Sequence, residues 1–329
     1  MFSIIICTYN PNPYIFQRLL KAINEFDKDS PTYEVIIVDN NSTVPLTRNK
    51  AVEIFLLSKS NAKLITEKNP GLTSARLAGI EYASYDWLIF FDDDNEPATD
   101  YLSEIYVLTQ MYSDIGAWGP GKINVQFCNG IVPSWINDYK YLFQEKQALK
   151  IEFDSEKIYQ DCYPNGTGLI LRKEIALKYL QEYNSGSLTL KDRSGKSLSS
   201  GGDTQMVLLA IKNNFKAGTS PSLKLNHLID NRKANSSYLR KQIYYTSSSY
   251  FRAYNEVFQE NRLPAEYGTN IQIIKSLYAA FKINYKSKDL HFIDLRWAKV
   301  LGEYASPYIA YNKTMPFILK TLEKFFING

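Results

Sequence analysis

Four short apolar runs punctuate the first hundred residues, and each ends in polar, turn-forming residues. Ser3-Ile4-Ile5-Ile6-Cys7-Thr8 is short and almost uniformly apolar, the pattern of a buried strand. Asn10-Pro11-Asn12-Pro13 breaks it, and Ile15, Leu19, Ile23 and Phe26 then recur at helical spacing. Val35 to Val38 predicts a second strand, closed by Asp39-Asn40-Asn41-Ser42, with residues 45–58 helical after it. Lys63 to Thr66 predicts a third strand, Asn69-Pro70-Gly71 a turn, and Thr73 to Ala83 a helix. Trp87 to Phe91 predicts a fourth strand, ending in Asp92-Asp93-Asp94. Strands alternating with helices of this length imply a parallel sheet with helices on both faces.

The middle is less regular. Ile115 to Trp118, Ile123 to Phe127, Gly168 to Arg172 and Ser222 to Asn226 read as strands. Lys173 to Tyr183 and Asp203 to Asn213 read as helices. Residues 184–202, rich in Ser, Gly and Lys, read as a mobile loop. From Asn235 onward the pattern is helical, with breaks expected near Leu263-Pro264, at Pro307 and at Pro316. The expected organisation is an α/β domain over 1–230, with halves 1–115 and 116–230, and a helical region over 231–329.

Composition adds to this picture. With 45% hydrophobic residues, 329 residues are ample for a buried core. The 25 tyrosines and 17 phenylalanines suit carbohydrate-facing and interface surfaces, or reflect simple bias. Charge is uneven: fifteen basic and eight acidic residues from Asp230 onward, against 23 and 26 before it. A basic tail favours an anionic membrane surface, or is an ordinary solvated face. Cys7, Cys128 and Cys162 form no Cys-x-x-Cys pair, so neither a zinc ribbon nor a disulfide framework is indicated. No run approaches the length of a membrane span and the opening apolar run is too short for a signal peptide, so a cytoplasmic protein is expected.

The chemistry gathers at strand ends. In open α/β sheets ligands bind beyond the carboxyl ends of the strands. Thr8-Tyr9-Asn10, Asp39-Asn40-Asn41-Ser42, Asn69-Pro70-Gly71 and Asp92-Asp93-Asp94 all stand at such ends. Three adjacent carboxylates repel one another unless a cation neutralises them, and hard oxygen ligands suit Mg²⁺ or Mn²⁺. Strand alternation would turn Asp92 and Asp94 to one side and Asp93 to the other. Asp39 is placed to accept hydrogen bonds from a base or ribose, or to form an Asx-turn or helix cap. Arg76, one turn into its helix, would meet phosphates or pair with an aspartate.

Ser3-Ile-Ile-Ile-Cys-Thr-Tyr-Asn10, Val35-Ile-Ile-Val-Asp39-Asn-Asn-Ser42, Asn69-Pro-Gly71-Leu-Thr-Ser-Ala75-Arg76 and Trp87-Leu-Ile-Phe-Phe-Asp92-Asp-Asp94 together resemble the family 2 glycosyltransferases of GT-A fold, in order and spacing. The likeness is specific to about residue 100, thinner to about 230, and absent beyond. It implies an inverting enzyme, a nucleotide diphosphate sugar donor (a UDP-sugar favoured) and Mn²⁺ or Mg²⁺. It implies a donor-binding set of Thr8, Tyr9, Asn10, Asp39, Asn41, Gly71, Arg76, Asp92 and Asp93. Asp92 and Asp94 become the Asp-x-Asp element, with Asp94 the direct metal ligand and Asp92 nearer the ribose. His227, after a predicted strand, is a candidate third metal ligand, or a hydrogen-bonded strand-end histidine. The family usually carries a Glu-Asp pair ahead of a later helix. Here Gly202-Asp203 stands there, so the Glu is missing, and Asp203 is the expected general base or a helix N-cap.

Processive relatives carry Gln-x-x-Arg-Trp with membrane helices. Here Ile293 precedes Arg296-Trp297 where Gln is needed, which implies addition of a single sugar. The expected acceptor is a polysaccharide or lipid-linked glycan, with no nucleic acid partner and peripheral contact with the inner membrane face through the basic C-terminal region. A sugar nucleotidyltransferase would want a Gly-rich basic loop after the first strand, and Thr8-Tyr9-Asn10-Pro11-Asn12 offers none. A phosphoacceptor domain would want acidic residues there, with the same answer. The Gly202 departure leaves a non-catalytic nucleotide-sugar-binding module as the alternative.

Overall fold

The four apolar runs become the parallel half of one sheet. β1 (Phe2–Thr8), β2 (Tyr33–Asp39), β3 (Ala62–Thr66) and β4 (Trp87–Asp92) pair in parallel in the spatial order β3-β2-β1-β4. The connections are α1 (Pro13–Asn24), α2 (Lys50–Ser58) and α3 (Leu72–Tyr82). The structure, a computed structural model, describes residues 1–193, 200–284 and 290–328. α1 begins where the Asn12 side-chain oxygen accepts from the N–H groups of Tyr14 and Ile15, and Pro13 takes the first helical position, which needs no donor. A 3₁₀ turn, Leu46–Arg48, precedes α2, so the helix expected from residue 45 starts later.

The second half closes the sheet. It contains β5 (Asn95–Pro97), α4 (Tyr101–Met111), β6 (Ile115–Cys128), β7 (Lys146–Gln147), β8 (Glu152–Asp154), β9 (Leu169–Arg172), α5 (Lys173–Asn184), α6 (Gly202–Lys212) and β10 (Lys216–Asp230). β9 runs antiparallel between β4 and β6, β10 runs parallel to β6, and β5 pairs antiparallel on β10. β7 and β8 extend β6 and β10. This is a mixed sheet flanked by helices, as the resemblance to the GT-A fold implies; the parallel pattern expected from strand–helix alternation holds for β1–β4 and gives way to antiparallel pairs at β5, β7, β8 and β9. The two strands expected at 115–118 and 123–127 are one, because Pro120 and Gly121 are absorbed within β6. The short strand expected at 222–226 is likewise the centre of a longer β10.

Alternate residues of β1 feed two cores. Ile5 and Cys7 pack with α3, α5 and α6, while Ile4 and Ile6 pack with α1, α2 and α4. The segment expected to be a mobile loop at 184–202 is packed over much of its length: Leu188 and Leu190 are buried and Asp192 is 3% exposed. Its residues 194–199 lie outside the described residues.

The C-terminal region holds α7 (Ser236–Val257), α8 (Asn270–Asn284), α9 (Leu290–Ala310) and α10 (Phe317–Leu322). α7 ties it to the sheet: Leu239 packs with Val125 and Phe143, and Tyr254 and Val257 join the core on α6. Pro307 does not end α9, which runs three residues further. The terminal segment docks through buried Leu319 and Ile327, leaving Phe325 exposed.

Candidate functional site

The parallel register sets a polar rim. Thr8 lies opposite Asp39, Cys7 opposite Asp92, and Asp39 opposite Thr66, so the four strands end along one edge. Beyond that edge is a cavity of about 460 Å³. Thr8, Tyr9, Asn41, Gly71 and all three aspartates of the acidic turn line one side. Gln144, Thr167, Arg193, His227, Lys233, Tyr238 and Gln242 line the other.

Two of the expected donor-binding residues shape the rim from behind. Asp39 is 2% exposed, and its carboxylate accepts from the N–H groups of Ser42 and Leu46, both at 2.9 Å. It therefore sets the turn that presents Asn41. Asn10 exchanges hydrogen bonds with Thr43 and donates its N–H to Ser42 Oγ. Neither Asp39 nor Asn10 lines the cavity. Asn40, which the sequence did not single out, locks two loops together. It donates to the Asn69 carbonyl at 2.7 Å and accepts from the Gly71 N–H at 2.7 Å. Gly71 has φ +124, a conformation that favours glycine, just before α3.

The acidic turn departs from strand alternation. β4 ends at Asp92, and Asp93 and Asp94 lie in a turn, so the period of two stops there. Asp93 faces the cavity with its neighbours and accepts a 2.5 Å hydrogen bond from Thr8 Oγ1. β5 follows at once and pairs with β10, setting Asn95 opposite His227. That pairing puts His227 Nε2 3.3 Å from Asp94 Oδ1. His227 Nδ1 lies 2.7 Å from the Phe143 carbonyl oxygen, to which it donates as Nδ1–H. With Nδ1–H given to the carbonyl, Nε2 is the ring atom that meets Asp94: as an N–H it donates to the carboxylate, and a metal could displace that proton to use the lone pair. Lys233 Nζ reaches the other carboxylate oxygen of Asp94 at 3.1 Å.

The electrostatics follow. Burial raises the pKa of Asp92, and Asp94 adds to it. Burial and then Asp94 push Asp93 up to about 7, against the Thr8 hydrogen bond. Burial also acts on Asp94, but Lys233 and His227 outweigh it and hold that carboxyl well below the usual range. The turn is thus an acidic cluster faced by Lys233 and His227 at Asp94 and by Arg76 and Arg193 at Asp92. Among the described residues no three His, Cys, Asp or Glu side chains converge as a ready-made metal site. The candidate ligands in mutual reach are Asp94 and His227, with Asp92 beside them in the cavity wall.

Arg76 is 4% exposed and does not line the cavity. Its Nη1 pairs with Asp192 Oδ2 at 2.9 Å, the structural of its two expected uses. Burial would lower its pKa, but Asp192, then Asp203 and Asp92, hold it above the ordinary value. Asp203 sits in the first turn of α6 behind the N-cap Gly201, and accepts from the Thr204 N–H at 2.9 Å. It is half-buried over Gly166, next to the cavity-lining Thr167. Sequence reasoning missed Gln144, Arg193, Lys233, Tyr238 and Gln242, which come from the irregular middle and from beyond residue 230.

Residues 3–124 match the model described as glycosyl transferase family 2. An uncharacterized glycosyltransferase of Haemophilus influenzae is 32% identical over 108 residues, 32% of this chain and 40% of that protein. A cholesterol galactosyltransferase of Borreliella burgdorferi is 27% identical over 104 residues, 32% of this chain and 28% of that protein. The match thus spans less than half the length of these relatives. A mannosyltransferase of Pyrobaculum calidifontis, solved with GDP-Man and Mn²⁺, superposes with a TM-score of 0.55 at 16% identity, covering 98% of this chain and 78% of that one. The likeness extends over nearly the whole chain and identifies the fold. The chain thus carries a domain of glycosyl transferase family 2, with the GT-A fold.

Proposed function

We propose that the protein moves one sugar, with inversion, from a nucleoside diphosphate sugar to a hydroxyl of a polysaccharide or lipid-linked glycan. A UDP-sugar is the favoured donor. The observation that carries this reading is the meeting of Asp94, His227 and Lys233 beside Thr8, Asn41 and Gly71 in one cavity at the strand ends. Tyr9 and Asn41 would hold the nucleoside, and Arg193 and Lys233 supply positive charge for the diphosphate.

The residues fit a divalent cation, Mn²⁺ or Mg²⁺. Asp94 Oδ1 and His227 Nε2 meet at 3.3 Å, a carboxylate oxygen and an imidazole nitrogen that a cation could bridge by displacing the proton between them, and the Phe143 carbonyl orients the imidazole from behind. Bound there, the cation would neutralise the departing diphosphate. Asp203 takes the proton from the acceptor hydroxyl as its oxygen attacks the anomeric carbon. The bond from that carbon to the diphosphate breaks, and its electron pair leaves with the nucleoside diphosphate.

Phe143 and Tyr238, both in the cavity lining, stack with rings nearly parallel, and Gln144, Thr167 and Gln242 line the same cavity. Gln242 Nε2 donates to the Leu142 carbonyl, so its Oε1 is turned away from that bond. Gln242 Oε1, Gln144 Oε1 and Thr167 Oγ1 are buried without protein partners. Acceptors of this kind, next to aromatic rings, suit the hydroxyl groups and apolar faces of a sugar.

The C-terminal region favours a membrane surface. Ile271, Ile274 and Tyr278 are exposed at helical spacing along α8, and Phe317 is exposed on α10. Lys275, Lys282, Lys313 and Lys320 are exposed beside them, and positions 269–288 contain no acidic residue. Among the described residues no helix is long and apolar enough to cross a membrane. An apolar face framed by lysines matches the inner leaflet, with its anionic lipids.

A thermal-shift panel of nucleotide sugars with and without Mn²⁺ tests the main reading. One or two donors should stabilise the protein, and only with metal. No response to any donor would reject the reading.

A further inference from the structure

The position where the family pattern breaks is also one where the interior has no room for a side chain. A Cβ added at Gly202 would collide with Asp192 Oδ2 and come within 3.0 Å of the Tyr179 hydroxyl. The space is already filled by a carboxylate. Asp192 Oδ1 accepts from the N–H groups of Gly201 and Gly202 at 2.8 and 2.9 Å. These are the first N–H groups of α6, which no carbonyl of the helix can satisfy. Asp192 Oδ2 meanwhile accepts from Arg76 Nη1 at 2.9 Å, with side chains 2% and 5% exposed. One carboxylate thus holds a buried guanidinium and the start of a helix at once.

Asp203 follows Gly202 directly. An added Cβ at Gly166 would lie 2.8 Å from Asp203 Oδ2 and 3.1 Å from Arg76 Nη2, so both side chains close over the same glycine. Arg76 is therefore fixed by Asp192 on one side and borders Asp203 on the other.

We infer that Asp192 replaces the missing glutamate: the carboxylate that anchors Arg76 and the first turn of α6 has moved from position 202 to position 192, and through that anchor Asp192 positions Asp203. The catalytic consequence rests on the proposed glycosyl transfer. The spatial exchange does not. Asp192 is a positioning residue and touches neither donor nor acceptor.

The test relocates the charge. Asp192→Gly leaves Arg76 buried without its partner, and should lower the melting temperature by about 5–10 °C. It should lower kcat by at least about 30-fold while donor KM stays within about threefold, because the displaced group acts on the reacting hydroxyl and the donor wall is intact. Gly202→Glu alone should also destabilise the chain, since two carboxylates then compete for one space. The double variant Asp192→Gly/Gly202→Glu should recover most of the melting temperature and of kcat, a strong departure from additivity.

A double variant that melts and turns over no better than Asp192→Gly would overturn the inference, as would an Asp192→Gly variant indistinguishable from the wild type. Recovery of melting without kcat would overturn the positioning role. Recovery of melting in a protein whose wild type transfers no sugar would overturn the glycosyl-transfer reading and leave the exchange of carboxylates standing.

Discussion

His227 presents Nε2 to Asp94 Oδ1 at 3.3 Å, although the two residues are 133 positions apart in the chain. The contact exists because β5 follows the acidic turn immediately and pairs with β10. If the two residues share a cation, His227→Ala and Asp94→Asn should each weaken Mn²⁺-dependent donor binding by about 100-fold. Binding without metal should change far less. Calorimetric titration of UDP with Mn²⁺ or with EDTA reads both, and equal losses in the two conditions would reject the shared site.

The acidic turn makes metal-free stability depend on pH. Asp93 is pushed up to about 7 in the fold by burial and Asp94, whereas in the unfolded chain it titrates at about 4. Between those values the folded chain holds a proton that the unfolded chain lacks. Its contribution is fully present below about pH 4 and is lost as the pH rises through 7. Asp94 has the opposite sign, and its contribution is lost only in acid, as the pH falls through its depressed value. In EDTA the Asp93 contribution to the melting temperature should therefore decline from about pH 4 to about pH 7 and level off above that, and Mn²⁺ should flatten the decline. A profile that Mn²⁺ leaves unchanged would contradict this account.

Gln144 and Gln242 each bring an unpartnered, buried side-chain oxygen to the cavity lining. Methionine at either position keeps the shape and removes the acceptor. Each substitution should weaken binding of a nucleotide sugar by about 3–10-fold and leave the nucleoside diphosphate alone unaffected, if the donor sugar sits there. A rise in acceptor KM with donor binding intact would assign these oxygens to the acceptor. No change in either would remove them from sugar recognition.

The α8 face gives a lipid prediction. The protein should sediment with vesicles containing anionic phosphatidylglycerol and not with phosphatidylcholine alone. Ile274→Asp and Tyr278→Asp together should abolish this without changing the melting temperature, because both side chains are exposed. Equal binding by this variant would place the contact elsewhere.

Much of the site's donor wall was legible because its motifs are local. Thr8, Gly71 and Asp92 each follow an apolar run within a residue or a few, and the parallel pattern implies their common edge. Only the direction of Asp93 departs from expectation, because strand alternation does not extend past the end of β4. The other wall was not legible, because long-range pairing builds it. Lys233 meets Asp94 across 139 residues, and Tyr238 and Gln242 arrive on a helix that reads only as tail. Asp192 was hidden in a stretch of loop-like composition. The available signal was indirect: a buried Arg76 needs an acid, and Gly201-Gly202 supplies none.

Transfer, rather than donor binding alone, is read from release of nucleoside diphosphate, with formation of a glycosylated product, by the wild type and by Asp203→Asn, each with Mn²⁺ and a stabilising donor. The wild type should turn over, Asp203→Asn should lose at least about 100-fold, and donor affinity should be equal in the two proteins. Tight donor binding with no release by the wild type would contradict transfer and make the domain a nucleotide-sugar-binding module.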